Sequence, residues 1–389
     1  MTTVDRWQLP DGVEEVLPRQ ARVVEHLRRE LLDLYHQWGY QLVIPPLIEF
    51  TESLLIGLGR DLDLLTFKMT DQLSGRTLGI RADITPQVAR IDAHSLAEPG
   101  VTRLCYAGST LHTRPKSLLA SRSPIQLGAE LYGDDSLAGD VEIIRLMLAT
   151  LNAADVAEVT LDLGHVGVYE AVLAAANVTP EQEADVFDAL QRKSRPDLLL
   201  ALTDIAAPAA ELILGLLELH GDAAVLETAR RLLTKAAPEA LTAVAALETV
   251  ATAIARSHPG TTVYFDLAEL RGYHYHTGMV FAAYAPGHGQ ALANGGRYND
   301  VGKVFGRARP ATGFATDLKA LMALVPISLS APGAVSAPDS DDPALLAAVT
   351  ALRKGGEVVI RCVGKSPDPR CDRMLVKADD EWVLRPLKP

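Results

Sequence analysis

Charged and polar side chains stand in stretches of this chain that otherwise pattern as half-buried strands. GIRADITPQVAR places Arg81, Asp83 and Thr85 on one face of an extended segment, ahead of Pro86, which opens a helix. PIQLGAELYG places Gln126, Gly128 and Glu130 on one face of a strand. ELRGYHYHTG adds Arg271, Tyr275, His274 and His276. A carboxylate on a buried sheet face is costly unless it meets a cation or hydrogen-bond donors. Singly, each of these groups is a structural ion pair in waiting. Together they describe a pocket for a zwitterion, with Asp83 receiving an ammonium, Arg271 a carboxylate, and Glu130 or Gln126 a polar side chain. His274 and His276, two apart on a strand, would share a face and form half a metal site. No third ligand stands at a recognisable spacing, so the expectation is a polar pocket with neither metal nor cofactor. The sequence contains no P-loop, no G-x-S-x-G elbow and no G-x-G-x-x-G following a strand.

The elements that must position these groups follow from hydrophobic period and turn residues. Val23, Leu27, Leu31, Leu34 and Trp38 recur at helical spacing between Pro18 and Gly39, which predicts an amphipathic helix over 18–38. A short strand is expected at 41–44, a hairpin around 68–79 turning at Gly75, and a helix near 86–94. Further strands are expected at 102–107, 123–133 and 158–164, with a helix at 140–151. Residues 165–258 are rich in Ala and Leu and poor in strand formers, so they form a helical insertion. Strands resume at TTVYFDLAEL and MVFAAYA, followed by a Gly-rich turn at NGGRYND and a helix over 313–324. The Pro/Ser/Asp-rich segment 326–343 has the composition of a linker, and 344–389 that of a small, truncated C-terminal α/β domain. The fold class is α+β: a mostly antiparallel sheet flanked by helices over 1–325, interrupted at 165–258.

Composition sets outer bounds. The chain has 389 residues, 48% of them hydrophobic, enough for two or three domains with a sizeable core. A net charge of −12 disfavours a nucleic-acid partner. Cys105, Cys362 and Cys371 are scattered, as suits a reducing compartment. The first residues lack a signal-peptide apolar run, and no uninterrupted apolar run reaches the ~18 residues of a membrane span. A cytoplasmic location is expected.

These stretches, in order over roughly residues 5–324, resemble histidyl-tRNA synthetase and its class II paralogues. LPDGVEEVLP and the helix running into GYQLVIPPLIEF are similar to the family's amino-terminal segment and its dimer-forming motif 1. IRADITPQVAR resembles the segment carrying the amino-acid-binding carboxylate, and LCYAGSTLHTRPK with SPIQLGAELYG resembles motif 2. LRGYHYHTGMVF resembles the histidine-specific signature, while NGGRYNDV and ATGFATDLKAL resemble the closing strands and motif 3. The resemblance implies that Asp83, Thr85, Gln126, Glu130, Arg271 and Tyr275 are histidine-binding positions. Asp83 is one methylene shorter than the family's glutamate, and His276 replaces a tyrosine that contacts imidazole.

Departures from the pattern bear on activity. Motif 2 of a synthetase has an arginine that grips the substrates and a glutamate that reads adenine; here those places hold His112 and Arg114. Motif 3 ends in an arginine at the nucleotide; here Ala320 stands in its place. Losing such preorganised charge costs orders of magnitude in rate. The C-terminal segment is about half the size of a usual anticodon-binding domain. The paralogue with this profile is the regulatory subunit of ATP phosphoribosyltransferase. The resemblance therefore implies a non-catalytic subunit in the first step of histidine biosynthesis. It would be a homodimer through motif 1, bound to the short-form catalytic subunit, without tRNA, and transmitting feedback inhibition by L-histidine. A divergent class II histidine-adenylating enzyme or histidyl-tRNA synthetase relative is the alternative.

Overall fold

A computed structural model describes residues 7–55, 60–115, 120–270, 272–273, 275–324, 333–363 and 366–387. The chain divides into two units, 1–326 and 327–389. The larger begins with helix α1 (Pro18–Gln37), which has Pro at its first turn and buries Val23, Val24, Leu27, Leu31 and Tyr35. Gly39, at φ +85°, turns the chain into strand β1 (Gln41–Leu42). Next come β2 (Ile48–Phe50), α2 (Thr51–Leu54), α3 (Arg60–Leu65), β3 (Phe67–Thr70) and β4 (Thr77–Ile80). The strands among these form a small antiparallel sheet in the order β2-β4-β3, with Gly75 at φ +72° in the hairpin turn. Helix α4 (Thr85–Arg90) continues into a π-helical turn, Ile91–Leu96.

The main sheet is built from β5 (Thr102–Ser109), β6 (Ile125–Tyr132) and, after α5 (Leu137–Ala153), β7 (Thr160–His165). Then follow α6 (Val166–Ala176), α7 (Pro180–Gln191), α8 (Arg195–Ala201), α9 (Ala207–Leu216), the two-residue strand β8 (His220–Gly221), α10 (Ala224–Ala236) and α11 (Ala240–Ser257). The chain returns through β9 (Thr262–Asp266), β10 (Met279–Tyr284), β11 (Ala293–Arg297), β12 (Ala311–Asp317) and α12 (Leu318–Leu324). Nine strands run in the order β1-β5-β6-β12-β11-β10-β7-β9-β8, with β1/β5 and β7/β9 parallel and the remaining pairs antiparallel. The fold is thus α+β, a mostly antiparallel sheet flanked by helices.

Side-chain alternation splits this sheet into two faces. Leu127, Ala129 and Leu131 of β6 point into the large core with Leu27 and Leu31 of α1 and Ile144 of α5. Tyr132 joins a smaller cluster on the other side with Tyr106, Ile84, Val88 and Tyr298. Helix α11 is long and apolar enough to cross a membrane, but it buries Val244, Leu247, Val250 and Ile254 within the large core.

Three expectations from sequence differ. NGGRYND, read as a turn, supplies strand β11, and the helix expected over 313–324 is strand β12 up to Asp317 before α12 begins. Glycine lowers strand propensity, so both segments lacked the usual signature. Within the segment 326–343 read as linker, Ala334–Ala337 is strand β13, with Val335 fully buried. The smaller unit adds α13 (Pro343–Lys354), β14 (Val359–Arg361), β15 (Cys371–Ala378) and β16 (Glu381–Pro386), in the sheet order β14-β13-β15-β16. Small residues at 334–337 concealed its central strand.

Candidate amino-acid site on the polar face of the sheet

Strand register builds the floor of the site. Gln126, Gly128 and Glu130 of β6 oppose Gly108, Tyr106 and Leu104 of β5 on one side, and Asp317, Ala315 and Gly313 of β12 on the other. Directly opposed residues share a face, so these nine positions form one patch. Its glycines are spatial necessities. A Cβ on Gly128 would stand 2.4 Å from the Tyr106 hydroxyl, and one on Gly313 would stand 1.6 Å from Glu130 Oε2.

Above this floor, the segment entering α4 closes a hydrogen-bonded chain. Gln126 Nε2 donates to Asp83 Oδ1 at 2.8 Å, and the Thr85 amide donates to the same oxygen at 3.0 Å. The Ile84 amide returns a bond to Gln126 Oε1 at 2.9 Å. Thr85 Oγ1 lies 2.9 Å from the Tyr106 hydroxyl, which donates to Glu130 Oε1 at 3.2 Å. The Tyr298 hydroxyl donates to the other carboxyl oxygen, Oε2. Tyr275 packs its ring 4.9 Å from that of Tyr298, and its own buried hydroxyl has no hydrogen-bond partner among the described residues. Asp83, Thr85, Gln126, Glu130 and Tyr275 are therefore brought to one place. Arg271 and His274 lie outside the described residues.

The electrostatics follow from burial. Glu130 is 1% exposed, and burial pushes its carboxyl up to about 8; the bonds from Tyr298, Thr85 and Tyr106 oppose this, and the charge of Asp83 adds to it. Burial also holds the phenols of Tyr106, Tyr275 and Tyr298 well above their ordinary range, with the Glu130 charge next in effect, so they remain donors. Two carboxyl groups thus share a pocket in which hydrogen-bond donors, rather than described cations, are their partners. The arrangement suits a ligand that brings positive charge and N–H groups.

Arg81 departs from the expected face-sharing with Asp83 and Thr85. Its buried guanidinium donates to the carbonyls of Ser109 at 2.9 Å and Pro45 at 2.8 Å, and Thr85 already belongs to the first turn of α4. The described residues of ELRGYHYHTG do not continue the expected strand: the amides of Tyr275 and His276 both donate to the Gly272 carbonyl, at 2.8 and 2.9 Å. Gly272 is needed there at φ +67°, since a Cβ would stand 2.8 Å from His276 Nδ1. Among the described residues, no cluster of three His, Cys, Asp or Glu side chains could hold a metal ion.

His112, at the expected place of the motif 2 arginine, is buried, with Nε2 2.9 Å from the Ala82 carbonyl. A carbonyl only accepts, so Nε2 carries the proton and the ring braces the backbone beside Asp83. Arg114 is exposed, and Ala320 lies in α12. Beside it, Lys319 Nζ donates to Glu14 Oε1 at 2.7 Å and to Ser123 Oγ at 3.1 Å. The Arg122 guanidinium donates to the Asp11 carbonyl at 2.9 Å. The amino-terminal segment is thus fastened to the cations of this region. Sequence reasoning missed Tyr106, Tyr298 and Gly313. The alternation that selected Glu130 would have selected Tyr106 in LCYAG, but nothing local marks Tyr298 or Gly313.

Residues 12–321 match the family model described as Histidyl-tRNA synthetase, and residues 332–385 match that described as ATP phosphoribosyltransferase subunit HisZ C-terminal domain. A protein of Thioalkalivibrio sulfidiphilus named ATP phosphoribosyltransferase regulatory subunit is 54% identical over 395 residues, covering 100% of both chains. One of the same name from Pseudomonas entomophila is 51% identical over 393 residues, again covering 100% of both. Among solved structures, an ATP phosphoribosyltransferase regulatory subunit/histidyl-tRNA synthetase from Bacillus halodurans is similar with a TM-score of 0.79 and 28% identity, covering 91% of this chain and 92% of that one. The histidyl-tRNA synthetase of a Nostoc species shares the fold at TM-score 0.78 and 19% identity, covering 98% of this chain and 94% of its own.

Proposed function

The chain belongs to the ATP phosphoribosyltransferase regulatory subunit family, and from that premise we propose that its polar pocket is a receptor for L-histidine. The chain's role is regulatory rather than catalytic, and it works with a catalytic ATP phosphoribosyltransferase subunit. That partner is the short form, and histidine bound by the regulatory chain restrains phosphoribosyl transfer as feedback. The observation carrying this reading is the Asp83–Gln126–Thr85–Tyr106–Glu130 network, which offers two carboxyl groups to a ligand with an ammonium and ring N–H donors. Support for a non-adenylating role comes from His112, whose ring serves the Ala82 carbonyl, and from Lys319, engaged by Glu14. Two copies of the chain pair through the surface beyond α1 and β1, where Leu42, Ile44, Leu47 and Ile48 are exposed, Ile44 to 83%. tRNA is not a ligand, consistent with the net charge of −12.

Calorimetric titration of the pure chain with histidine tests the receptor role. Asp83→Ala removes the carboxylate set for the ammonium, so affinity should drop by tenfold or more, for a charged hydrogen bond worth about 1.5–3 kcal/mol. Elution with the catalytic subunit on sizing should be unchanged. Equal affinity in Asp83→Ala would place the ligand elsewhere.

A further inference from the structure

The small sheet β2-β4-β3 has two unlike faces, and only one of them is covered. Register sets Glu49, Gly79 and Lys68 in one cross-strand row. The rows on either side are Ile48, Ile80 and Phe67, and Phe50, Leu78 and Met69. Alternation turns the first row to one face and the two apolar rows to the other. The first face is closed by helices. A Cβ on Gly79 would stand 2.8 Å from Leu54 of α2, and the Glu49 carboxylate accepts from Gln87 at 2.9 Å and Arg90 at 2.6 Å, both of α4. The opposite face is wholly apolar, yet none of its side chains is buried and none belongs to a core cluster. At the tip of the β3–β4 hairpin, the Asp71 carboxylate accepts from the amides of Leu73 and Ser74, each at 3.2 Å, and from the Ser74 hydroxyl at 2.6 Å. That fixed turn holds Leu73 98% exposed. A contiguous exposed apolar surface of this kind marks an interaction site.

Charge decides what covers it. The Arg76 guanidinium lies 3.5 Å from the centre of the Phe50 ring, and that of Arg122 lies 5.7 Å from the centre of the Phe67 ring. Arg76 has an exposed pair with Glu52 at 3.4 Å, which is weak and open to exchange. Arg122 donates to the carbonyls of His112 and Asp11 and, among the described residues, has no carboxylate in ion-pair reach. Phenylalanine, methionine and arginine are the types that protein interfaces concentrate, with apolar anchors inside a charged rim. A second copy meeting this face across a twofold axis would bring Arg76 and Arg122 towards the same arginines of its mate. A different protein that surrounds apolar side chains with carboxylates meets no such repulsion and pairs with both guanidiniums. We propose that this face of the β2-β4-β3 sheet is the docking surface for the catalytic subunit, which presents an apolar segment flanked by carboxylates. The proposal rests on the regulatory reading above and gives that regulation a place of delivery. Ile48 stands at the border with the surface through which two copies pair, so the docking face begins where the pairing surface ends. Leu78 and Ile80 belong to the strand that leads directly into Arg81 and Asp83, which joins the docking face to the amino-acid pocket.

The test titrates a short-form catalytic subunit with the full chain, reading association by sedimentation and activation by phosphoribosyl-ATP synthesis. Met69→Asp sets a charge into the apolar face and should weaken association at least about tenfold. Arg76→Glu should also weaken it and should flatten the loss of affinity that the wild-type pair shows on raising salt. Both side chains are exposed, Met69 to 42% and Arg76 to 50%. Each variant alone should therefore elute on sizing as the wild-type chain does and bind histidine with the same affinity. Association within about twofold of wild type in both variants would overturn the docking face and leave the regulatory reading standing. A variant that alters the chain's own oligomeric state while binding the catalytic subunit normally would assign the face to a second copy, which also overturns the proposal. A wild-type chain that neither binds nor activates the catalytic subunit would overturn the regulatory reading as well. If Met69→Asp does not fold, Arg76→Glu decides the matter alone.

Discussion

Gly313→Ala places a methyl group against the buried carboxyl of Glu130. Its Cβ would fall 1.6 Å from Glu130 Oε2, 2.5 Å from Glu130 Cδ and 2.8 Å from the Ala129 carbonyl oxygen. A flexible acid at a surface would simply swing away. This one is 1% exposed and held by Tyr106 and Tyr298, so moving it breaks two hydrogen bonds or parts β12 from β6. Overpacking costs about 1–3 kcal/mol, and each of the two lost hydrogen bonds about 1 kcal/mol, so a total of about 3–5 kcal/mol is expected. Urea unfolding at fixed protein concentration measures it as a shift in midpoint at constant slope. The companion variant Glu130→Ala removes the clashing group at its own cost, since it leaves the Tyr106 and Tyr298 hydroxyls without their acceptor. In the double variant the two changes should therefore fall short of their sum by at least about 1 kcal/mol. Additive effects, or a Gly313→Ala chain within about 0.5 kcal/mol of wild type, would refute the tight fit between β12 and Glu130.

Two further predictions concern pH. Glu130 titrates higher in the folded chain than in the unfolded one, so the native state holds the extra proton between the two values and stability declines as pH rises from about 4.5 towards about 8. Glu130→Gln should flatten that decline when unfolding midpoints are compared at pH 5 and pH 8. His165 works in the opposite sense: burial first, and Arg297 second, lower its imidazole to about 4. Its Nδ1 accepts the Gly167 amide at 3.1 Å to cap α6, which requires the neutral ring. The unfolded chain therefore binds the extra proton, so this contribution is complete above about pH 6.5 and is lost as pH falls towards about 4. His165→Asn keeps a capping oxygen without a titrating ring and should weaken the acid dependence of unfolding over that range.

How much of this was legible in sequence depended on whether local pattern and tertiary role agreed. Helix α1 announces itself because Val23, Leu27 and Leu31 follow the helical period that burial demands. Gln126 and Glu130 were visible because period-2 alternation alone puts them on one face. Strands β11 and β12 were not, because Gly295, Gly296 and Gly313 are there for neighbours, Glu130 and His276 among them, that sit far away in sequence. Arg81 shared the alternation of Asp83 and Thr85, yet three backbone carbonyls, those of Pro45, Pro46 and Ser109, draw it elsewhere. Tyr298 is read as a residue of a polar turn until β12 places it over Glu130. The hydrogen bonds from Tyr275 and His276 likewise needed the positive φ of Gly272, which sequence spacing does not report.

The central claim is that this chain regulates a catalytic partner rather than forming an adenylate itself. Its most direct test is phosphoribosyl-ATP synthesis by a short-form catalytic subunit, alone and with this chain, with and without histidine. Activity should rise on adding the chain and fall on adding histidine, and the chain alone should not exchange pyrophosphate into ATP. A catalytic subunit indifferent to the chain, together with histidine-dependent pyrophosphate exchange by the chain itself, would contradict the account.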